Sequence, residues 1–284
     1  MKKILLTGSN GFIGRNLKEY LNNRYDLISP THTELDLLDS NTICKFLKDN
    51  AFDVVIHTAT HNATATSTKD RSLVLENNLK MFFNIAENRD LFDKMIHFGS
   101  GAEFGKEHYI PRMKEAYLGE HIPKDPYGFS KYIMARYTEE INANIYNLRL
   151  FAVFGKYEDW RIRFISNNIY NILQNKPLAI NQNVFFDFLY IKDLCEITEW
   201  FIVNEPIYKT YNVCTGNSID LYSIAETIQN IMNTDLPIIV KKSGYKKEYS
   251  GDNIRLRAEI DNFKCCNLNN AIKEIIPWLQ SLQS

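Results

Sequence analysis

Lys3-Ile4-Leu5-Leu6-Thr7-Gly8-Ser9-Asn10-Gly11-Phe12-Ile13-Gly14 is an apolar run that breaks into three glycines, each three residues from the next. An apolar strand, a Gly-x-x-Gly-x-x-Gly turn and an amphipathic helix over Phe12–Leu21 are the parts of a phosphate-binding strand–turn–helix. The glycines permit a tight turn, close backbone approach to a pyrophosphate and close packing of helix on sheet. The free N–H groups and the dipole at the helix start favour an anion. Gly8, Asn10, Gly11, Phe12, Ile13 and Gly14 are therefore candidate dinucleotide contacts.

Working outward from that turn, short apolar runs alternate with stretches at helical spacing. Strands are expected at Lys3–Thr7, Tyr25–Ile28, Asp53–His57, Lys94–Phe98 and Ile145–Leu150. Helices are expected at Phe12–Leu21, Asn41–Asp49, Leu73–Glu87 and Tyr127–Asn142. This β-α-β alternation predicts an α/β fold, a doubly wound parallel sheet with helices on both faces. After Gly155 the pattern loosens. There the spacing predicts a helix over Ile162–Gln174, strands at Phe185–Tyr190, Tyr211–Val213 and Pro237–Lys241, and a helix over Ser218–Met232 capped by Ser218. Residues Gly244–Asp252 read as a polar loop. Residues 1–155 then form the dinucleotide domain, to which later segments return, and 156–284 form mainly a smaller substrate lobe.

With 33 basic and 34 acidic residues among 284, no net field attracts nucleic acid or an anionic membrane. The longest apolar runs are too short for a signal core or a membrane span. A soluble, cytoplasmic protein is expected. The five cysteines, Cys44, Cys195, Cys214, Cys265 and Cys266, form no Cys-x-x-Cys pair, and their odd number argues for free thiols. His57, His61 and His97 lack metal-ligand spacing, so no metal is expected.

The chemistry-bearing pattern is Pro126-Tyr127-Gly128-Phe129-Ser130-Lys131. Tyr127 and Lys131 lie four residues apart, on one helix face. An ammonium beside a phenol favours the phenolate and draws its pKa down, and such a tyrosine passes a proton to or from a carbinol oxygen. Ser100 follows the strand Lys94–Phe98, at the carboxyl end where open α/β sheets bind ligands. Its hydroxyl is placed to bond the same oxygen.

Which dinucleotide is bound depends on the end of the second strand. NAD sites usually carry Asp or Glu there. Here the stretch is Ile28-Ser29-Pro30-Thr31-His32-Thr33, without a carboxylate before Glu34. Ser29 and His32 suit a 2′-phosphate, which tilts the reading to NADP and leaves NAD open. Asp36 and Leu37 reach either the adenine edge or, for Asp36, the start of the helix near Ser40.

At this point the chain resembles the extended short-chain dehydrogenases that act on nucleotide sugars. The resemblance rests on Thr7-Gly8-x-x-Gly11-x-x-Gly14, His57-x-Ala59, Asn78, Gly99-Ser100-Gly101-Ala102-Glu103-Phe104-Gly105, Pro126-Tyr127-Gly128-x-Ser130-Lys131, Arg149-Leu150, Phe154-Gly155 and Asp187-Phe188-Leu189-Tyr190-Ile191-x-Asp193. These motifs occur in order through about two-thirds of the chain. The resemblance implies a Rossmann domain, a C-terminal sugar-nucleotide lobe, a homodimer, and cofactor contacts from Thr58, Ala59, Thr60 and Asn78. It also implies substrate contacts from Ser100, Gly101, Ala102 and Glu103, with Glu103 either an extra acid/base or a surface residue.

Departures from the family pattern narrow the reaction. Family dehydratases carry an Asp-Glu pair where this chain has Gly101-Ala102. The 3,5-epimerising reductases use a cysteine and a histidine where it has Ala102 and Arg163. Hydride transfer at one carbon, C4, remains. A 4-keto-6-deoxy sugar nucleotide reductase is the leading expectation, with a C4 epimerase holding NAD as the alternative and a cofactor-sensing protein as the third. Two arginines that contact the diphosphate in relatives are replaced by Phe186 and by Tyr249 of Tyr249-Ser250-Gly251-Asp252. Phosphate contacts then fall to Arg163, Arg255, Arg257, Lys246 or Lys247.

Overall fold

Successive residues of β1 (Lys3–Thr7) enter opposite cores, Ile4 and Leu6 on one side and Leu5 on the other. A strand apolar on both faces must be covered on both, which is why its run is continuous and not alternating. The computed structural model describes residues 1–62 and 64–283. After β1 come α1 (Phe12–Leu21), β2 (Asp26–Ile28), α2 (Ser40–Asn50), β3 (Phe52–His57), α3 (Val74–Ala86), β4 (Phe92–Ser100), α4 (Pro126–Glu140) and β5 (Ile145–Leu150). The C-terminal part adds β6 (Ala152–Phe154), α5 (Phe164–Leu173), β7 (Leu178–Asn183), β8 (Phe185–Phe186), β9 (Phe188–Tyr190), α6 (Ile191–Val203) and β10 (Thr210–Val213). It ends with β11 (Ile219–Asp220), α7 (Leu221–Met232), β12 (Ile238–Tyr245), α8 (Ile254–Glu259) and α9 (Leu268–Ser281).

Six strands form one parallel sheet in the order β10-β5-β4-β3-β1-β2. Chain order reverses between β1 and β3, so the glycine turn after β1 opens at the switch point of a Rossmann-type sheet. Helices α2, α3 and α4 close one face through Ile43, Leu47, Phe82, Ile85 and Met134. Helices α1 and α6 close the other through Leu17, Leu21, Leu194 and Phe201. Beyond residue 155, β10 joins the sheet beside β5, and the other late strands pair two by two outside it.

Several boundaries differ from the sequence expectation. Ser218 does not cap α7: Asp220 does, accepting from Tyr222 N and Ser223 N. Residues Ile219–Asp220 are instead spent on β11, which pairs antiparallel with β8. The run Phe185–Tyr190 is two strands, because Asp187 turns inward between them. It is fully buried and accepts from Thr215 N, Thr215 Oγ1 and Gly216 N. The expected loop at 244–252 begins inside β12, which pairs with β7 as far as Tyr245. Among the described residues no helix is long and apolar enough to cross a membrane.

Candidate active site

The glycine turn has no room for side chains. Gly8 holds φ +71°, and a Cβ there would lie 2.5 Å from Ala59 N. A Cβ on Gly14 would lie 2.2 Å from Gly8 O and 2.6 Å from Thr58 Oγ1. Thr58 itself donates to Thr7 O at 2.6 Å. The first turn of α1, starting at Phe12 and Ile13, is thus pressed against the loops after β1 and β3, with Asn10 and Gly11 exposed at the rim. This is the cradle a dinucleotide pyrophosphate requires, so the chain fits the cofactor that its motif implies.

Around that cradle the expected contacts separate. Asn78, expected to meet the cofactor, is buried and holds the loop after β3 in shape. Its Oδ1 accepts from His61 N (2.7 Å) and Thr60 Oγ1 (3.1 Å), and its Nδ2 donates to His61 O. Leu37 is a core residue whose carbonyl accepts from Asn84. The cap of α2 is Asp39, not Asp36. Asp36 stays half-exposed, accepts from Leu38 N, and stands 3.7 Å from His32. Ser29 is half-buried at the end of β2. Glu34 turns its carboxylate back on Thr31 N and Oγ1, and Lys18 lies close enough to help hold it in the charged form.

Two basic residues here escaped the motif reading. Arg15 and Lys18, one turn apart on the exposed side of α1, line a cleft of about 710 Å³ with Ser9 and Asn10. The Arg15 guanidinium lies over the Tyr157 ring at 3.7 Å. Their i, i+3 spacing beside a glycine turn was the available signal.

Ser100, Tyr127 and Lys131 converge at the carboxyl end of β4. Asp125 caps α4 by accepting from Gly128 N at 3.0 Å, and Pro126 occupies the first helical position, where its missing N–H costs nothing. Tyr127 is thereby the first side chain off the helix, one turn from Lys131. Lys131 Nζ is buried, donates to Phe98 O at 2.7 Å, and lies 5.9 Å from the Tyr127 ring. Ser100 Oγ accepts from Ala102 N at 3.2 Å, and the serine is near enough to Tyr127 to draw its phenol down. Gly101 and Ala102 are buried in the short turn Gly101–Phe104.

The protonation expectation needs correction for the protein alone. Burial raises the Tyr127 phenol above its ordinary value, outweighing the lowering from Ser100 and from Arg163. Burial also lowers the Lys131 ammonium to about 8, against the opposing pull of Glu103. When bound, an oxidised nicotinamide would bring a positive charge that lowers the phenol.

Glu103 is neither a surface residue nor a substrate contact. It is fully buried, and its carboxylate accepts from Ser100 N (2.9 Å), Asn147 Nδ2 (3.2 Å) and Arg149 Nε (2.6 Å). With those acceptor sites filled it positions the serine backbone. Arg255 is misplaced too. Its guanidinium bonds Thr210 O, stands 4.0 Å from Glu115 and covers the Tyr208 ring, at the amino end of β10 and away from Ser100. Arg257 lines a cleft of about 490 Å³ in the C-terminal lobe with Phe186, Phe188, Thr215 and Lys264. Arg163, at the start of α5, is exposed and near enough to act on Tyr127.

The model of the NAD dependent epimerase/dehydratase family matches residues 4–214. The chain is 24% identical to an ADP-L-glycero-D-manno-heptose-6-epimerase from Brachyspira hyodysenteriae, covering 98% of each. It superposes with a TM-score of 0.83 on a GDP-mannoheptose C4 reductase from Campylobacter jejuni with NADP bound, at 22% identity over 98% of both chains. It superposes with a TM-score of 0.82 on a UDP-glucose 4-epimerase from Thermotoga maritima, at 17% identity over 99% of this chain and 100% of that one. With the cradle and the Ser100–Tyr127–Lys131 set in place, the chain belongs to the NAD-dependent epimerase/dehydratase family and is an NAD(P)-dependent enzyme.

Proposed function

We propose that the enzyme reduces C4 of a 4-keto sugar carried on a nucleoside diphosphate, with a 4-keto-6-deoxy sugar nucleotide as the first substrate to try and NADPH as the reductant. One observation carries this reading: Tyr127 is the acid/base that the site offers a substrate. Gly101 and Ala102 supply no acid or base, Arg163 replaces a base, and the carboxylate of Glu103 is consumed by Ser100, Asn147 and Arg149. Epimerisation at C3 and C5 and dehydration both need a second group that takes or gives a proton at carbon or at a leaving hydroxyl. Carbonyl reduction needs one proton at one oxygen.

In this mechanism Ser100 and Tyr127 hold the C4 oxygen between their hydroxyls, and Tyr127 donates its proton as the alkoxide forms. Lys131 spends one of its three donors on Phe98 O and keeps the others for the cofactor ribose. When bound, the reduced nicotinamide supplies the hydride. Candidate contacts to the adenosine 2′-phosphate are Ser29, His32 and Lys18, since Glu34 is already engaged by Thr31. Arg163 and Arg257 are the candidate diphosphate contacts. A homodimer remains part of the proposal, on family resemblance.

The test is NADPH and NADH consumption by the pure enzyme with a panel of 4-keto-6-deoxy sugar nucleotides. Stoichiometric loss of reduced cofactor is expected. No loss across the panel, together with NAD retained through purification, would move the assignment to a C4 epimerase. That second reading uses the same three residues, and the heptose relative, a 6-epimerase 24% identical over nearly the whole chain, favours epimerisation as a class and not at C4.

A further inference from the structure

We propose that Asn212, on β10, is a positioning residue: through Arg149 and Glu103 it ties Ser100 to the segment 249–252 that covers it, and so fixes their spacing. The inference rests on the reading above, in which Ser100 bonds the reacting oxygen. Glu103 Oε1 accepts from Ser100 N at 2.9 Å and closes the turn Gly101–Phe104. The two oxygens of a carboxylate turn together, so Oε1 keeps its place on Ser100 N only while Oε2 is held. Arg149 Nε holds it at 2.6 Å. The guanidinium is a planar fork whose far side sets its direction. There Arg149 Nη1 donates to Asn212 Oδ1 at 3.1 Å.

The rest of the Asn212 side chain is spent on the covering segment. Its Nδ2 donates to Met113 O at 2.8 Å and to Asp252 O at 3.0 Å. Those two stretches are bonded to each other, Met113 N donating to Ser250 O at 3.0 Å and Asp252 N to Met113 O at 2.9 Å. The Asn212 backbone N–H donates to Glu115 Oε1 at 2.9 Å, beside the same stretch. Residues 249–252 in turn press on the serine turn. The Tyr249 hydroxyl comes within 2.7 Å of where a Cβ on residue 101 would stand, and a Cβ on Gly251 would lie 2.4 Å from the Phe151 ring. An amide is what this place requires, one acceptor for a cation and two donors for two carbonyls. Glu103, Arg149 and Asn212 are all fully buried, so a bond lost between them is not made good by bulk water.

Two variants of the intact enzyme test this. Asn212→Leu deletes all three side-chain bonds, while Asn212→Asp keeps the acceptor for Arg149 and deletes both donors to Met113 and Asp252. In amide hydrogen exchange, Asn212→Leu should speed Ser100 and Asp252 about tenfold more than Ile56 and Ile96 in the same sheet, and Asn212→Asp should speed Asp252 alone. A merely structural loss would speed all four together. This arm needs no substrate, so it decides the tie even if the whole panel goes unreduced, an outcome that would count against the proposed reaction alone. In NADPH oxidation, Asn212→Leu should lower kcat about tenfold in the parent but less than about twofold in a Ser100→Ala background. Asn212→Asp should raise KM for the sugar nucleotide with kcat within about twofold. Uniform acceleration of exchange, an unmoved Ser100 amide in Asn212→Leu, or equal kcat losses with and without Ser100 would each overturn the inference. Should the leucine variant fail to fold, the aspartate variant decides alone: Ser100 exchanging as fast as Asp252 would sink the proposal.

Discussion

Replacing Glu103 with glutamine separates a structural carboxylate from a reacting one. Glu103 and Arg149 are both fully buried, their ion pair is 2.6 Å long, and the same carboxylate serves Ser100 N and Asn147 Nδ2. Every neighbour of that carboxylate is a donor. Glutamine therefore turns an NH₂ toward either Arg149 or Ser100, and it strands the guanidinium in the core. Breaking one side of a buried pair costs about 3–5 kcal/mol. At roughly 2–4 °C per kcal/mol for a chain of this size, the melting temperature should fall by about 6–20 °C. Circular dichroism melts of the cofactor-free enzyme measure this directly. At temperatures where the variant stays folded, KM for the sugar nucleotide should be unchanged, because the carboxylate does not reach the substrate. A variant that melts within about 2 °C of the parent but loses turnover would refute the structural assignment and return Glu103 to the chemistry.

Tyr127→Phe should lower kcat by at least about 10² while NADPH affinity, read by fluorescence titration, stays within about twofold; undiminished turnover would end the mechanism. Gly14→Ala forces a methyl to within 2.2 Å of Gly8 O, so the phosphate turn must open at a cost of about 1–3 kcal/mol. Calorimetry should show the loss as weaker cofactor binding, and unchanged affinity would mean that the pyrophosphate binds elsewhere. Lys18→Ala should weaken NADPH roughly tenfold and leave NADH nearly untouched, an asymmetry whose absence would remove Lys18 from the 2′-phosphate site. Burial raises Glu158, bonded by Ser166, from 4.5 to about 7. Between those values the native state keeps a proton that the unfolded chain releases, so stability falls with rising pH. Relative to Glu158→Gln, urea titrations should show the parent losing on the order of 3 kcal/mol from pH 4.5 to 7, and parallel pH profiles would contradict that burial effect.

The sheet was legible in the sequence because its strands are buried on both faces and so read as unbroken apolar runs: Val54-Val55-Ile56 and Ile4-Leu5-Leu6. The glycine turn and Tyr127/Lys131 were legible because their spacing is local. The C-terminal lobe resists the same reading because its strands at 185–186 and 219–220 are two residues long and pair with each other across the chain. Such pairing leaves no period to detect. Helix α9 shows a helical stripe of Ala271, Ile272, Ile275 and Leu279, but Pro277 inside it argues locally against a helix. Tyr249, whose hydroxyl crowds Gly101, could not be reached at all, since no local pattern brings residue 249 to residue 101.

What sorted the candidate residues in the end was hydrogen-bond saturation. Residue type nominates Glu103, Asn78, Arg255 and Arg163 alike, since a carboxylate, an amide and a guanidinium are all ligand-binding groups. A buried polar group must be satisfied, and one whose sites are filled by its own chain has little left for a ligand. Glu103 is spent on Ser100, Asn147 and Arg149; Asn78 on Thr60 and His61; Arg255 on Thr210 and Tyr208. Arg163 is exposed and acts on Tyr127 through space. Ser100 stands apart from these cases, because Oγ accepts from Ala102 N and has bonding capacity left for a reacting oxygen.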